Sequence, residues 1–194
     1  MSDPAIALLE FESISAGIVA GDAMVKTSPI GAIYAGTVHP GKYLVLVSGD
    51  TASVEIALEV GAAPGSLGDS VFLPDVHPDV TRAMVEPSVA AELSAEALGI
   101  VETRTVAAVI DAADAGAKAA SVTIAAVRLA DGLGGKGYVL FSGAVAEVES
   151  AVEAAVERAG SHHSLVRSDV ISQVHPEMAA NLAAELRFMK RLGT

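Results

Sequence analysis

The sequence predicts an α+β chain of two tandem ferredoxin-like domains, each an antiparallel sheet with helices on one face. Three observations carry this prediction. The sequence is written twice, each copy alternates short apolar runs with helical patterns, and a glycine-containing turn joins the second and third strands of each copy.

The duplication comes first because it fixes everything after it. Leu8-Leu9-Glu10-Phe11 aligns with Ile100-Val101-Glu102-Thr103, and the same shift of 92 residues lays Asp22-Ala23 on Asp114-Ala115 and Lys26 on Lys118. After a two-residue insertion Gly41-Lys42 falls on Gly135-Lys136, Ser48-Gly49 on Ser142-Gly143, and Val54-Glu55 on Val148-Glu149. Further insertions bring His77-Pro78 onto His175-Pro176. A repeat of this length is a duplicated domain, longer than the unit of most solenoids. Pro87 interrupts a helical pattern and an Ala/Glu-rich connection follows, which puts the boundary within residues 86–98 and divides the chain into 1–92 and 93–194.

Each copy reads as strand, helix, strand, strand, helix, strand and a final helix. Residues 5–11 and 98–103 are the first strands, and the helices after them carry Ile14, Ile18 and Val25, mirrored by Val106, Ile110 and Ala117. That spacing predicts one buried stripe on each helix. Residues 30–38 and 122–130 are the second strands, and residues 43–48 and 138–142 the third, each ending at Ser-Gly before a helix. That helix carries Val54, Leu58 and Gly61 in one copy and Val148, Val152 and Val156 in the other. Final strands lie near residues 70–73 and 165–171, and a terminal helix follows each His-Pro. Helices on one face leave the other face and the sheet edges open for contacts between units. Three such chains would place six similar units around a closed ring.

Composition excludes several classes of function. Twelve Lys and Arg against 24 Asp and Glu give a formal charge of −12, which argues against nucleic acid and against an anionic membrane surface. The absence of cysteine removes disulfides, thiolate nucleophiles and thiolate-held clusters, and fits a reducing cytoplasm. Met1-Ser2-Asp3-Pro4 lacks the basic start and apolar run of a secretion signal, and no apolar run reaches the ~20 residues of a membrane span. A cytoplasmic protein is the expectation.

Gly21-Asp22-Ala23-Met24-Val25-Lys26 after the Leu-Leu-Glu strand resembles the first strand and helix of bacterial microcompartment shell domains. Ser48-Gly49-Asp50-Thr51-Ala52-Ser53-Val54 is similar to the family's Gly-Asp-Val-x-x-Val helix start, and the second copy carries weaker versions at residues 113–118 and 142–148. Order, spacing and duplication together resemble the tandem, non-permuted class. The resemblance implies a non-enzymatic tile of a microcompartment shell that forms pseudohexagonal homotrimers beside hexameric tiles, with a central pore for small metabolites. It implies that the loop between the second and third strands lines the pore, which assigns His39, Pro40 and Gly41 in one copy and Leu133, Gly134 and Gly135 in the other. It also places a Lys from the first helix at the edge where tiles meet, the position of Lys26 and Lys118. The family's Pro-Arg-Pro-His is replaced by Pro74-Asp75-Val76-His77 and Ser172-Gln173-Val174-His175, so both edge arginines are missing. Some tandem relatives hold an iron-sulfur cluster through Cys, an arrangement this chain cannot make.

No catalytic residue, metal or cofactor is expected. Gly132-Leu133-Gly134-Gly135-Lys136-Gly137 satisfies G-x-G-x-x-G, but a strand follows it, so no helix N-terminus is available for a pyrophosphate. His39 on a threefold axis would gather three imidazoles, able to bind zinc or, when protonated, anions; a solvated loop histidine is the simpler reading. His162 and His163 are adjacent, cannot share one face, and read as a surface loop. His77 and His175 suit chain direction at a helix start. Arg187, Lys190 and Arg191 suit a helix C-terminal end. The rival reading is a duplicated ferredoxin-like small-molecule sensor or enzyme, which would need a cleft with convergent polar groups.

Overall fold

The computed structural model describes residues 4–85 and 96–184. The first half runs β1 (Ala5–Phe11), α1 (Ile14–Thr27), β2 (Ala32–Val38), β3 (Lys42–Gly49), α2 (Thr51–Ala62), β4 (Leu67–Leu73) and α3 (Pro78–Val85). The second half repeats the order with β5 (Ala97–Thr103), α4 (Val106–Ala119), β6 (Thr123–Leu129), β7 (Gly137–Gly143), α5 (Val145–Ser161), β8 (Leu165–Ser172) and α6 (Pro176–Ala183). Each half holds one four-stranded antiparallel sheet, in the orders β2-β3-β1-β4 and β6-β7-β5-β8. The elements and their order are those the sequence predicts, and the fourth strand of the first half starts earlier, at Leu67. The expected boundary falls mostly on residues outside those described, as do Arg187, Lys190 and Arg191.

Local chemistry starts the helices where the sequence places them. Ser13 and Thr105 cap α1 and α4 by accepting from the backbone N–H three residues on, and Asp50 does the same for α2 through Ser53. His77 Nδ1 accepts from Asp79 N and His175 Nδ1 from Glu177 N, so both His-Pro pairs open a helix as expected.

Alternation along β1 sends Ala5, Ala7, Leu9 and Phe11 into a core with Ala20, Met24, Val54 and Ala57 of α1 and α2. The other face of that sheet, with Ile6, Leu8, Leu46, Val71 and Leu73, joins one continuous core with α3 and the helices of the second half. The two halves therefore share buried apolar surface through a seam in which α4 packs on β4 and α3 packs on β6.

One expectation is corrected here. Val106, Ile110 and Ala117 are buried as predicted, with 0%, 0% and 9% exposure, whereas Ile14, Ile18 and Val25 are 41%, 53% and 45% exposed. The first helix buries Gly17, Ala20, Gly21 and Met24 instead. The stripe is the seam-facing side of the helix, and α1 has no neighbouring half to cover it among the described residues. Periodicity detects an apolar face but not which body covers it.

Candidate functional site

The two loops that join the second and third strands lie against each other. In the first, His39, Pro40 and Gly41 are exposed, the His39–Pro40 peptide is cis, Gly41 sits at φ +113°, and Gly41 N donates to Val38 O at 2.9 Å. In the second, Leu133 is half-buried, Gly134 is exposed and Gly135 is buried. Gly132, Gly134 and Gly135 all have positive φ, a region open mainly to glycine. Ala130 N donates to Lys136 O at 2.9 Å and closes this longer loop. A Cβ on Gly135 would stand 3.0 Å from Pro40 Cδ and 3.4 Å from His39 O. The two loops that hold the six sequence-predicted residues thus touch where Gly135 meets Pro40 and His39.

Lys26 and Lys118 have different surroundings. Among the described residues Lys26 Nζ meets Asp22 Oδ2, at 2.5 Å on its own helix, with both side chains well exposed. Lys118 reaches across the seam, where its ammonium donates to the Asp75 carbonyl, while Asp114 Oδ2 holds it at 2.7 Å. Asp114 in turn accepts from His77 N at 2.7 Å, so the same lysine-aspartate pair that is free-standing on α1 fastens α4 to the first half.

Two further fasteners, centred on Glu10 and on His162, cross the seam. Glu10 is fully buried on β1; its Oε1 accepts from Lys42 Nζ at 2.6 Å and its Oε2 from Val106 N at 2.8 Å, the first turn of α4. A carboxylate there satisfies an orphan N–H and complements the positive end of the helix. Burial alone would lower the Lys42 ammonium, but Glu10 and Glu12 outweigh it and raise its pKa above the usual lysine value.

The second fastener is centred on His162, which the sequence reading left in a surface loop. It caps the end of α5, and its side chain is only 12% exposed. Its Nδ1 meets Asp69 Oδ1 of β4 at 2.9 Å and its Nε2 meets Asp111 Oδ2 of α4 at 3.0 Å. Hydrogen bonds to Asp111 and then Asp69 raise its pKa to about 9 against the opposing effect of burial, so the ring is a cation at neutral pH. Burial would raise both carboxyls; His162 and Thr105 at Asp69, and His162 and Arg158 at Asp111, hold them below the usual range instead. Arg158 closes the chain of contacts on Asp111 Oδ1 through Nε at 3.1 Å and Nη2 at 2.8 Å.

This arrangement does not supply chemistry. Both nitrogens of His162 are occupied by carboxylates on opposite sides, and the Thr105 hydroxyl donates to Asp69 rather than facing the imidazole. Among the described residues no group of three or more His, Cys, Asp or Glu side chains is placed to hold a metal ion. The G-x-G-x-x-G segment runs into β7 as expected, with no helix start behind it.

Glu10, Asp69 and Asp111 were not singled out as functional in the sequence, and His162 was read only as part of a surface loop. For Glu10 a signal existed: a carboxylate inside an apolar strand, repeated as Glu102, with Lys42 repeated as Lys136, and the second pair also forms at 2.7 Å. The His162 network has no such signal. Strand pairing puts Arg167 opposite Glu102 where Asp69 stands opposite Glu10, so the repeat does not mark it.

Two fused halves of one fold, with their loops in contact and polar side chains spent on joining them, define a modular assembly protein. Both halves match the family model described as the BMC domain, over residues 5–76 and 97–174. The chain belongs to this family of bacterial microcompartment shell proteins, and its role is structural rather than enzymatic. The sensor or enzyme reading is set aside.

Among particular relatives, it is 41% identical over 179 residues to the bacterial microcompartment shell protein PduT of Citrobacter freundii, covering 90% of this chain and 95% of that protein. It is 28% identical over 183 residues to the carboxysome assembly protein CcmO of a Synechocystis strain, covering 85% of this chain and 61% of that protein. A crystal structure of a microcompartments protein from Desulfitobacterium hafniense aligns with a TM-score of 0.76 and 37% identity, over 92% of this chain and 99% of that one. A fused permuted hexameric shell protein of the RMM microcompartment shares the fold, with a TM-score of 0.56 and 17% identity over 82% of this chain and 85% of that one. No helix among the described residues is long and apolar enough to cross a membrane.

Proposed function

We propose that three copies of this chain close into a pseudohexagonal disc that tiles a microcompartment shell beside hexameric tiles, with a central pore for small metabolites. In this reading the two halves, 1–92 and 93–194, are successive lobes. The loops of His39, Pro40 and Gly41 alternate with those of Leu133, Gly134 and Gly135 around the pore, three of each. The observation that carries it is the packing of Gly135 on Pro40: adjacent lobes bring equivalent loops to the same point. The seam inside the chain is also head-to-tail, joining the β4 side of one half to the α4 side of the next, and such a contact repeated by rotation generates a ring. Passage would be governed by loop width and polarity and by the net negative charge of the protein. Lys26 and Lys118 are assigned to the rim in this reading, where the exposed Lys26 ammonium can reach carbonyls of the next tile, whereas the Lys118 ammonium is already held by Asp75 and Asp114 of its own chain.

The absence of cysteine makes the test direct. A single thiol at His39→Cys, labelled with an electron-dense tag, is expected to mark the centre of six-lobed particles under the microscope. The same tag at Ile56→Cys, an exposed position on α2, is expected away from the centre. Tags from His39→Cys at the periphery would overturn the pore assignment.

A further inference from the structure

The two loops that meet at Gly135 are each followed by a lysine, Lys42 and Lys136, and the two lysines are held differently. The Lys42 side chain is 17% exposed and that of Lys136 is 49% exposed. Lys42 Nζ donates to Glu10 Oε1 at 2.6 Å and lies 3.0 Å from Glu12 Oε1. Among the described residues Lys136 is paired with one carboxylate, Glu102 at 2.7 Å.

Two substitutions between the halves account for the difference. Glu12 N donates to Ser66 O as Arg104 N does to Ser164 O, so Arg104 stands in the second half where Glu12 stands in the first. A guanidinium cannot hold an ammonium. Phe11 faces Leu67 as Thr103 faces Leu165, which sets Val166 where the first half has Gly68. A Cβ on Gly68 would stand 2.9 Å from Glu12 Oε1, so the missing side chain leaves room for the carboxylate that reaches Lys42. The first half thus has a second anchor for its lysine, and the second half lacks both parts of it.

The anchored lysine also touches the other loop. A Cβ on Gly135 would stand 3.9 Å from Lys42 Cε, beside its 3.0 Å approach to Pro40 Cδ, so the lysine stem and the proline ring together form the surface on which the second loop rests. The ammonium at the end of that stem is fixed to Glu10, whose other oxygen accepts from Val106 N at 2.8 Å. One chain of contacts therefore runs from the first loop, through a buried carboxylate, to α4 of the half that carries the second loop. A free lysine stem samples many rotamers and defines no position, whereas one whose ammonium meets two carboxylates does.

We infer that Lys42 is a positioning residue for the pore: anchored by Glu10 and Glu12, it sets how closely the 39–41 and 132–135 loops of one chain approach, and so the width of the passage they line. Lys136, with a single and partly exposed partner, has no such part. This inference rests on the pore proposed above, and the test separates the two.

The measurement reads room at the loop tip, which a loss of stability alone does not change. In a His39→Cys chain, thiol reaction rates are taken with N-ethylmaleimide and with the bulkier fluorescein maleimide, each divided by the rate at the exposed position Ile56→Cys. The tip is expected to exclude the bulky reagent. Adding Lys42→Met is expected to relax that exclusion about threefold or more in assembled protein, because Glu10 is left buried without its ammonium, and Lys136→Met to relax it less than about twofold. An unchanged ratio in assembled Lys42→Met overturns the positioning role and leaves the pore standing. Equal relaxation by Lys136→Met overturns the assignment to Lys42. Absence of exclusion in the His39→Cys chain itself overturns the pore reading, and this role with it. If Lys42→Met does not fold, Glu12→Ala decides, since Glu12 is 60% exposed and its removal strands no buried charge. Relaxed exclusion in that variant supports the role, and an unchanged ratio overturns it.

Discussion

His162 and Asp69 lie 93 residues apart in the chain, yet the imidazole Nδ1 and a carboxylate oxygen meet at 2.9 Å across the seam between the halves. The same ring holds Asp111 with its other nitrogen, so a single cation ties β4 of one half to α4 of the other. Removing the ring leaves two carboxylates facing each other in a mostly dry joint. His162→Ala is expected to cost about 3 kcal/mol in chemical denaturation, because a charged group stripped of its partner keeps its desolvation cost.

That network gives the chain a pH window. The folded pKa of His162 is raised to about 9 from 6.5, so its contribution is complete below pH 6.5 and is lost as the pH rises through about 9. Asp69 and Asp111 are lowered from 3.8, so theirs is present above that value and is lost as the pH falls through the depressed folded values. Thermal melting is expected to decline on the alkaline side, and His162→Gln to flatten that decline while lowering the plateau. An unchanged alkaline slope in the variant would show that another group carries it.

Glu10 and Glu102 occupy equivalent strand positions but differ in burial, with side chains 0% and 33% exposed. Glu10→Gln removes the charge beside Lys42 and at the α4 N-terminus, and is expected to cost about 2–3 kcal/mol in the denaturation midpoint. Glu102→Gln is expected to cost under about 1 kcal/mol in the dissociated chain.

Gly135 combines a φ of +85° with the 3.0 Å approach to Pro40. Gly135→Ala is expected to lower stability by about 1–2 kcal/mol, from the backbone conformation and from displacement of the neighbouring loop. Gly36, with open space around its Cβ position and no positive φ, is the control, and Gly36→Ala is expected to be neutral or slightly stabilising by thermal melting.

Most of the fold was legible because the chain states it twice. The short apolar runs at residues 5–11 and 98–103 marked the first strands, and the His-Pro pairs marked the starts of the last helices. What periodicity could not resolve was the partner of an apolar face: Ile18 and Ile110 hold the same place in the same pattern, and only the second is covered. The seam network was invisible for the opposite reason. Asp69 and His162 come from elements far apart in sequence, and neither has a like residue at the matching position of the other half. The loops around Gly41 and Gly135 could be placed by counting from the Ser-Gly pairs, whereas their mutual contact depends on how the halves dock.

In the proposed ring the open side of the first half meets the open side of the second in another copy. Sedimentation equilibrium of the wild-type chain tests it most directly. A mass three times that of the 19.5 kDa chain is expected. A mass that stays at one chain across the accessible concentration range would contradict it.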